Sequence, residues 1–352
     1  MRSLEPRGDL VELFRGIVDI ESVSGNERAL ADAVGRALAG LEHLGVVRDG
    51  DTLIARTELG RAQRVVIAGH LDTVPVAGNL PSRLVDGVLH GRGTVDMKGG
   101  VSVMLQVAAL ATAPSRDVTW IFYDHEEVAA VDNSLTRIAA TRPEALVGDF
   151  AVLMEPTSAR IEGGCQGTLR YVVTTRGRAA HSARGWMGHN AIHDSGEVLR
   201  RLEAYTPRSV EVDGLTYREG MNAVEIRGGI AGNVIPDRCQ VTVNFRFAPD
   251  RDEADAVGHC RELMTGYEVE VIDFALGARP GLDRPIAQEF LAAVGGPPQA
   301  KFGWTDVARF SALGIPAVNY GPGDPLKAHA DDEACPVSDL YACRDALLHW
   351  LS

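Results

Sequence analysis

The sequence predicts an α/β fold: a mixed sheet with flanking helices, interrupted by an inserted β-α-β-β-α-β unit of ferredoxin-like type. Three observations predict it. Short, nearly continuous apolar runs at Val118–Tyr123 and Phe150–Met154 have the pattern of strands buried on both faces, and stretches of helical spacing alternate with them. Acidic and His-bearing residues gather just past such runs, at the edge where α/β sheets bind ligands. From Thr168 the pattern changes to longer strands and two helical stretches, and after Gly277 the first habit returns.

In chain order, Leu10, Leu13, Phe14 and Ile17 give Asp9–Ile20 the spacing of an amphipathic helix. Ser24-Gly25-Asn26-Glu27 reads as a capping box opening a second helix through Leu38. Strands are expected near 45–48, 52–56 and 64–69, and Asp86-Gly87 between short apolar runs predicts a hairpin. Met97–Ala113 is apolar on more than one side, as a buried helix is, and a further helix falls near Ser134–Thr141. The inserted unit takes strand 168–176, helix 190–205, strands 221–230 and 238–247, helix 252–265 and strand 268–274. A helix at 286–294, a strand near 317–320 and a helix at 337–351 close the chain. The expected division is residues 1–170 with 279–352 as one domain, and 171–278 as the other.

The 352 residues leave room for two domains, and a net charge of −13 argues against a nucleic-acid partner, which needs a basic surface. No apolar run approaches the length of a membrane span, and the charged start of the chain lacks the apolar core of a signal peptide. The 5 cysteines include no C-x-x-C pair, so reduced thiols in a cytoplasmic protein are expected rather than a disulfide framework or a thiolate metal site.

The chemistry-bearing stretches begin with Gly69-His70-Leu71-Asp72-Thr73-Val74-Pro75 after the strand Arg64–Ala68. Side chains two apart share a strand face, so His70 and Asp72 stand together. Then come Gly91-Arg92-Gly93-Thr94-Val95-Asp96-Met97-Lys98-Gly99-Gly100, Asp124-His125-Glu126-Glu127, Glu155-Pro156-Thr157 and His329-Ala330-Asp331-Asp332-Glu333. Singly, each could be a polar strand end. In this order they resemble the M20 family of co-catalytic zinc amidohydrolases and peptidases.

That resemblance implies a zinc-exopeptidase-like catalytic domain and an inserted lid that pairs two subunits. It implies two Zn2+ per subunit, with Co2+ or Mn2+ as substitutes. Asp96 would be shared between them, His70 and Glu155 completing one site and Glu127 and His329 the other. Glu126 would be the general base, taking a proton from the water held between the metals, and Asp72 would hold the second ring nitrogen of His70. A cis peptide at Asp96–Met97 is also implied. Here His125 stands where the family often has an acid.

In the insertion, Gly177–Ala183 resembles the family turn whose histidine, His181 here, reaches the partner subunit's site to stabilise an oxyanion. Asn233 and Arg246 match positions that bind substrate carboxylates, and Thr305, beside Trp304, is a candidate contact. The resemblance implies a homodimeric hydrolase of small N-acyl amino acids, removing succinate from N-succinyl-L,L-diaminopimelate to give diaminopimelate for lysine synthesis. N-acetylornithine, another acyl amino acid or a dipeptide is the alternative substrate. A non-catalytic binding protein on a retired scaffold is the alternative of another class, which the presence of Glu126 disfavours.

Overall fold

The computed structural model describes residues 3–129 and 131–352. The chain opens with α1 (Leu10–Val18), where the Asp9 carboxylate accepts from the N–H groups of Val11 and Glu12 at 2.9 and 3.0 Å. Its Leu10, Leu13, Phe14 and Ile17 are buried, as the spacing requires. Helix α2 (Arg28–Ala39) follows, and here the capping box is corrected. No side chain caps this helix. Ser24 Oγ instead donates to the Asp72 carboxylate at 2.7 Å, and Glu27 accepts from the Gly25 N–H at 2.9 Å. A long-range acceptor has taken the hydroxyl that local pattern assigned to a cap.

Strands β1 (Gly45–Asp49), β2 (Thr52–Arg56) and β3 (Arg64–His70) come next, then the hairpin β4 (Arg83–Val85) and β5 (Val88–His90). Asp86 and Gly87 turn it with φ of 49° and 77°, the pair of left-handed residues that a two-residue hairpin loop needs. The Asp96–Met97 peptide is cis. Helix α3 (Lys98–Leu110) is buried from Lys98 through Ala109 and packs against β3 and α1. After it come β6 (Asp117–Tyr123), α4 (Ser134–Thr141), β7 (Phe150–Leu153) and β8 (Glu162–Gly163). Every residue of β6 and β7 is buried, so both faces of the sheet are covered.

The next stretch forms a separate compact unit, Gly164–Arg279 with Ala300–Ala308. It contains β9 (Gly167–Arg176), β10 (Ala180–His181), α5 (Ala191–Glu203), β11 (Ser209–Val212), β12 (Leu215–Arg218), β13 (Gly220–Gly228), β14 (Val234–Ile235), β15 (Arg238–Phe247), α6 (Glu253–Leu263) and β16 (Val269–Ala275). Its sheet has the order β13-β15-β9-β16 with every pair antiparallel. This is the β-α-β-β-α-β arrangement, and two small pairings, β10 with β14 and β11 with β12, are added to it. Period two explains its core. Leu169, Tyr171 and Val173 of β9 and Val241, Val243, Phe245 and Phe247 of β15 are buried with Val198 of α5 and Ala256 and Cys260 of α6. The alternate positions, Arg170, Asn244 and Arg246 among them, are less buried and share the other face.

One buried charge cluster secures this unit. Glu219, its side chain fully buried, accepts from Arg251 at 2.8 Å, Arg208 at 2.9 Å and the Ala248 N–H at 3.1 Å. Burial alone would raise its pKa, but Arg251, Arg208 and the Ala248 N–H together hold it below the ordinary glutamate value. Its ionised form therefore stabilises the fold above the unfolded-state value near 4.5, and that contribution fades as pH falls through the lower folded value. Glu219→Ala leaves two arginines facing a vacated site and should cost about 3–5 kcal/mol, read by denaturant unfolding at neutral pH. The difference between the two proteins should shrink in acid; a pH-independent difference would contradict the assignment.

The chain then returns with α7 (Pro285–Val294), β17 (Gln299–Ala300), α8 (Val307–Ala312), β18 (Ala317–Asn319), β19 (Ala334–Pro336) and α9 (Val337–Leu351). Pro280–Gln299 and Arg309–Ser352 complete the first unit, which otherwise runs up to Gly163. The large sheet has the order β1-β2-β6-β3-β7-β18-β8-β17. Its centre, β6-β3-β7-β18, is parallel, while β2 joins β6 and β8 joins β18 antiparallel. Strand β19 pairs with β5, which makes a three-stranded sheet of the 83–90 hairpin and the chain's last strand. All 5 cysteines are free and buried.

Candidate metal centre

The parallel centre of the large sheet aligns the candidate ligands. Ala68 of β3 is paired with Leu153 of β7, and His70 and Glu155 each lie two residues past that pair. His70 is itself paired with Tyr123, the last residue of β6, from which Asp124–Glu127 continue. Three strands thus deliver His70, Glu155 and the two glutamates to one edge. Glu155 needs glycine on both sides of it. A Cβ at Gly100 would collide with Met154 O and lie 2.8 Å from Met154 Cβ, and one at Gly321 would collide with Met154 O and lie 2.6 Å from Glu155 O. The backbone leading into Glu155 is held between α3 and the stretch after β18 at a spacing only glycine permits.

His70, Asp96 and Glu127 offer ligand atoms that all lie within 4.8 Å of one another. His70 Nε2 is 3.0 Å from Asp96 Oδ1. His329 Nε2 is 3.3 Å from Asp96 Oδ2 and 2.8 Å from Glu127 Oε1. Asp96 therefore faces an imidazole with each of its oxygens. His329 reaches this position from a left-handed backbone, φ 65°. Burial would raise the Asp96 pKa, yet the two imidazoles, His329 first, pull it well below the carboxylate range. In return Asp96 and Glu127 raise His329 to about 10. Burial opposes charge on His70, but Asp72 and Asp96 push its pKa well above the ordinary histidine value.

These residues fit a divalent cation. In the bare protein, protons on the imidazoles balance the carboxylates; a cation can replace them. The donors are nitrogen and oxygen without thiolate, which suits zinc and also cobalt or manganese. Ligands bound tetrahedrally at zinc–nitrogen and zinc–oxygen distances sit about 3.3 Å apart, close to the 3.0 and 3.3 Å separations around Asp96.

Asp72 does more than the sequence suggested, and partly something else. The second ring nitrogen of His70 meets the Asp72 backbone carbonyl at 3.0 Å, while the carboxylate stands 3.5 Å away. That carboxylate is fully buried and accepts from the N–H groups of Glu126 and Glu127, each at 3.0 Å, and from Ser24 Oγ at 2.7 Å. Burial would raise its pKa, but His70 and those two N–H groups hold it at about 2. Asp72 thus pins the peptides of both glutamates. Ser24 was missed as part of the site because its sequence neighbours explained it as a cap.

His125 also has a left-handed backbone, φ 62°, and its Nδ1 lies 2.8 Å from Asp124 and 3.5 Å from Glu27. Its ring turns towards these acids and stays partly exposed. Asp124 accepts from Thr52 Oγ1 at 2.5 Å, and its backbone is held by Ser134 at the start of α4.

The remaining candidates lie in the second compact unit. His181 is exposed, and its Nδ1 accepts from the Ala183 N–H at 3.1 Å. Asn233 is brought beside it: its carbonyl accepts from the Ser182 N–H at 2.9 Å, and His181 pairs with Val234. Arg246 stands on the sheet face that also carries Arg170, and burial together with Arg170 lowers its pKa. Thr305 is buried, and the Trp304 indole N–H donates to Leu276 O at 3.0 Å.

The sequence profile of Peptidase family M20/M25/M40 matches residues 66–352. A Mycobacterium tuberculosis protein provisionally named succinyl-diaminopimelate desuccinylase is 52% identical over 351 residues, covering 99% of each chain. The succinyl-diaminopimelate desuccinylase of Corynebacterium glutamicum is 48% identical over 360 residues, covering 99% of this chain and 98% of its own. Among solved structures, the aminopeptidase PepT of Bacillus cereus superposes with a TM-score of 0.77 at 18% identity, covering 97% of each chain, which is a likeness of fold.

Proposed function

The chain belongs to peptidase family M20/M25/M40, and we propose that within it the protein hydrolyses the amide of N-succinyl-L,L-diaminopimelate, releasing succinate and diaminopimelate for lysine synthesis. The observation that carries this reading is full-length identity of about half to desuccinylases, joined to a ligand group that fits a divalent cation. The chain is a metal-dependent hydrolase, and the cytoplasm is its proposed compartment. Among the described residues no helix is long and apolar enough to cross a membrane. The test is turnover of succinyl-diaminopimelate, N-acetylornithine and a dipeptide panel by the metal-loaded protein. A clear preference for the first supports the substrate; a preference for either other class moves the protein elsewhere in its family.

Asp96 would hold two cations, zinc in the first instance, with His70 and Glu155 around one and Glu127 and His329 around the other. Such a pair supplies Lewis acidity to the scissile carbonyl and acidifies the attacking water. Glu126 takes the water's proton and returns one to the departing amine. Asp72 keeps Glu126 and Glu127 in register through their N–H groups. Asn233 and Arg246 would receive the substrate carboxylates, for which the guanidinium fork is suited, and Thr305 would border the pocket. The first compact unit would be the catalytic domain and the second a lid and dimerisation domain. Strand β13 supports dimerisation: it is an edge strand with Val224 and Ile226 exposed, a surface that pairing with a second copy would cover.

A metal measurement separates shared from single ligands. Asp96→Ala should leave less than a tenth of the metal content, whereas His329→Ala or Glu155→Ala should remove about one ion in two. Elemental analysis after dialysis reads this directly. A fully loaded Asp96→Ala protein would end the assignment.

A further inference from the structure

Three of the ligand-bearing loops are joined by one buried ion pair that plays no part in the reading above. Arg92 and Glu333 have side chains only 3% and 1% exposed, and Arg92 Nη1 donates to Glu333 Oε2 at 2.9 Å. Glu333 also accepts from Gly93 N–H at 3.0 Å through Oε2, and from Val95 and Asp96 N–H at 2.8 and 3.1 Å through Oε1. A carboxylate has about four acceptor positions, and here each finds a donor. Three of the four donors are backbone N–H groups of the loop that ends on Asp96. Arg92 also reaches outward: Nε donates to Pro75 O at 3.0 Å, and the same Nη1 that meets Glu333 donates to Ala330 O at 3.1 Å. Pro75 ends the loop that starts at His70, and Ala330 follows His329.

We propose that Arg92 and Glu333 are positioning residues that fix Asp96 between His70 and His329 before any metal binds. The inference rests on the metal-centre reading above. The two imidazoles approach opposite oxygens of Asp96 from loops distant in sequence. Left alone, such loops would have to be ordered by the cation, at a cost to its affinity. The ion pair orders them in advance. The guanidinium serves Pro75 from Nε and both Ala330 and Glu333 from Nη1, two nitrogens held in one rigid plane, whereas an ammonium offers a single nitrogen for all three. The pair is also anchored from outside the site, since Glu333 O accepts from Gly91 N–H at 3.0 Å where β19 runs against β5.

The decisive variant is Arg92→Lys, which keeps a cation beside Glu333 but loses the fork. Its affinity for Zn2+, measured by competition with a chromogenic chelator, should fall about 10–100-fold. The visible spectrum of its Co2+-substituted form should shift, and kcat should fall while KM changes little. Glu333→Gln should move in the same direction. Affinity and spectrum equal to wild type in both variants would overturn the proposal and leave a pair that only packs. Should the variants not fold, the metal-free wild-type protein still decides. Hydrogen exchange at the Gly93, Val95 and Asp96 amides should be slow there, as in the core strands. Fast exchange that slows only on metal addition would overturn the proposal. A wild-type protein that takes up no divalent cation would remove the metal reading itself, an outcome distinct from all of these.

Discussion

Glu126→Gln should lower kcat by about a thousandfold, within the range that a positioned general base contributes, while metal content and thermal stability stay at wild-type values. The expectation comes from how the two adjacent glutamates are held. Both N–H groups are fixed at 3.0 Å by the two oxygens of Asp72, so their backbone cannot rotate to exchange roles. The Glu127 carboxylate meets His329 at 2.8 Å and belongs with the ligand group. Glu126 is then the carboxylate to which the proposed mechanism assigns proton transfer. Glutamine keeps the size and hydrogen-bonding reach but cannot accept the water's proton. Steady-state turnover with elemental analysis of the same sample checks this. Near-normal turnover in a fully metallated variant would move the base elsewhere, with His125 the first residue to examine. A loss of metal alongside activity would instead make Glu126 a ligand.

Local pattern made much of the fold legible, and tertiary competition explains where it failed. The buried strands announced themselves because a strand covered on both faces leaves no polar positions, as Phe150–Leu153 illustrates. The 86–87 hairpin was legible because two consecutive left-handed residues select Asp-Gly. The same dipeptide stands at Asp213-Gly214, with φ of 49° and 82°, between β11 and β12. That signal was present and went unused. Ser24 failed for the opposite reason: a complete local explanation concealed a bond to Asp72, 48 positions away.

The candidate site divides in a similar way. His70, Asp96, Glu127 and His329 could be proposed together because their motifs come in a recognisable order, and the structure groups His70 with Asp96 and Glu127 and sets His329 against the latter two. What held them was not legible. The N–H groups gripped by Asp72 and Glu333 belong to the backbone, which every residue carries, so no residue type marks them. Arg92 and Glu333 lie inside the motifs with nothing local to mark a role, because their partnership spans 241 positions and is visible only once β19 lies against β5.

Mixing two inactive variants, His181→Ala and Glu126→Ala, should restore activity. His181 lies in the second compact unit, whereas all five proposed ligands and Glu126 lie in the first. It is exposed on a short strand pinned to Val234, outside its own unit's core, with Nδ1 accepting from the Ala183 N–H. If a two-fold pairing of second units aims each His181 at the opposite subunit, a mixed dimer has one site with intact Glu126 and intact His181 and one site lacking both. Equal amounts exchanging at random put half the dimers in the mixed form, so about a quarter of all sites should work. Each variant alone should retain little, and His181→Ala should lose kcat far more than substrate affinity, because an oxyanion contact acts in the transition state. The measurement is turnover after mild dissociation and reassociation, calibrated against the fraction of mixed dimers resolved by differently tagged chains. If His181 serves its own chain, both sites of every mixed dimer remain defective, and activity stays at the sum of the separate variants however long they exchange.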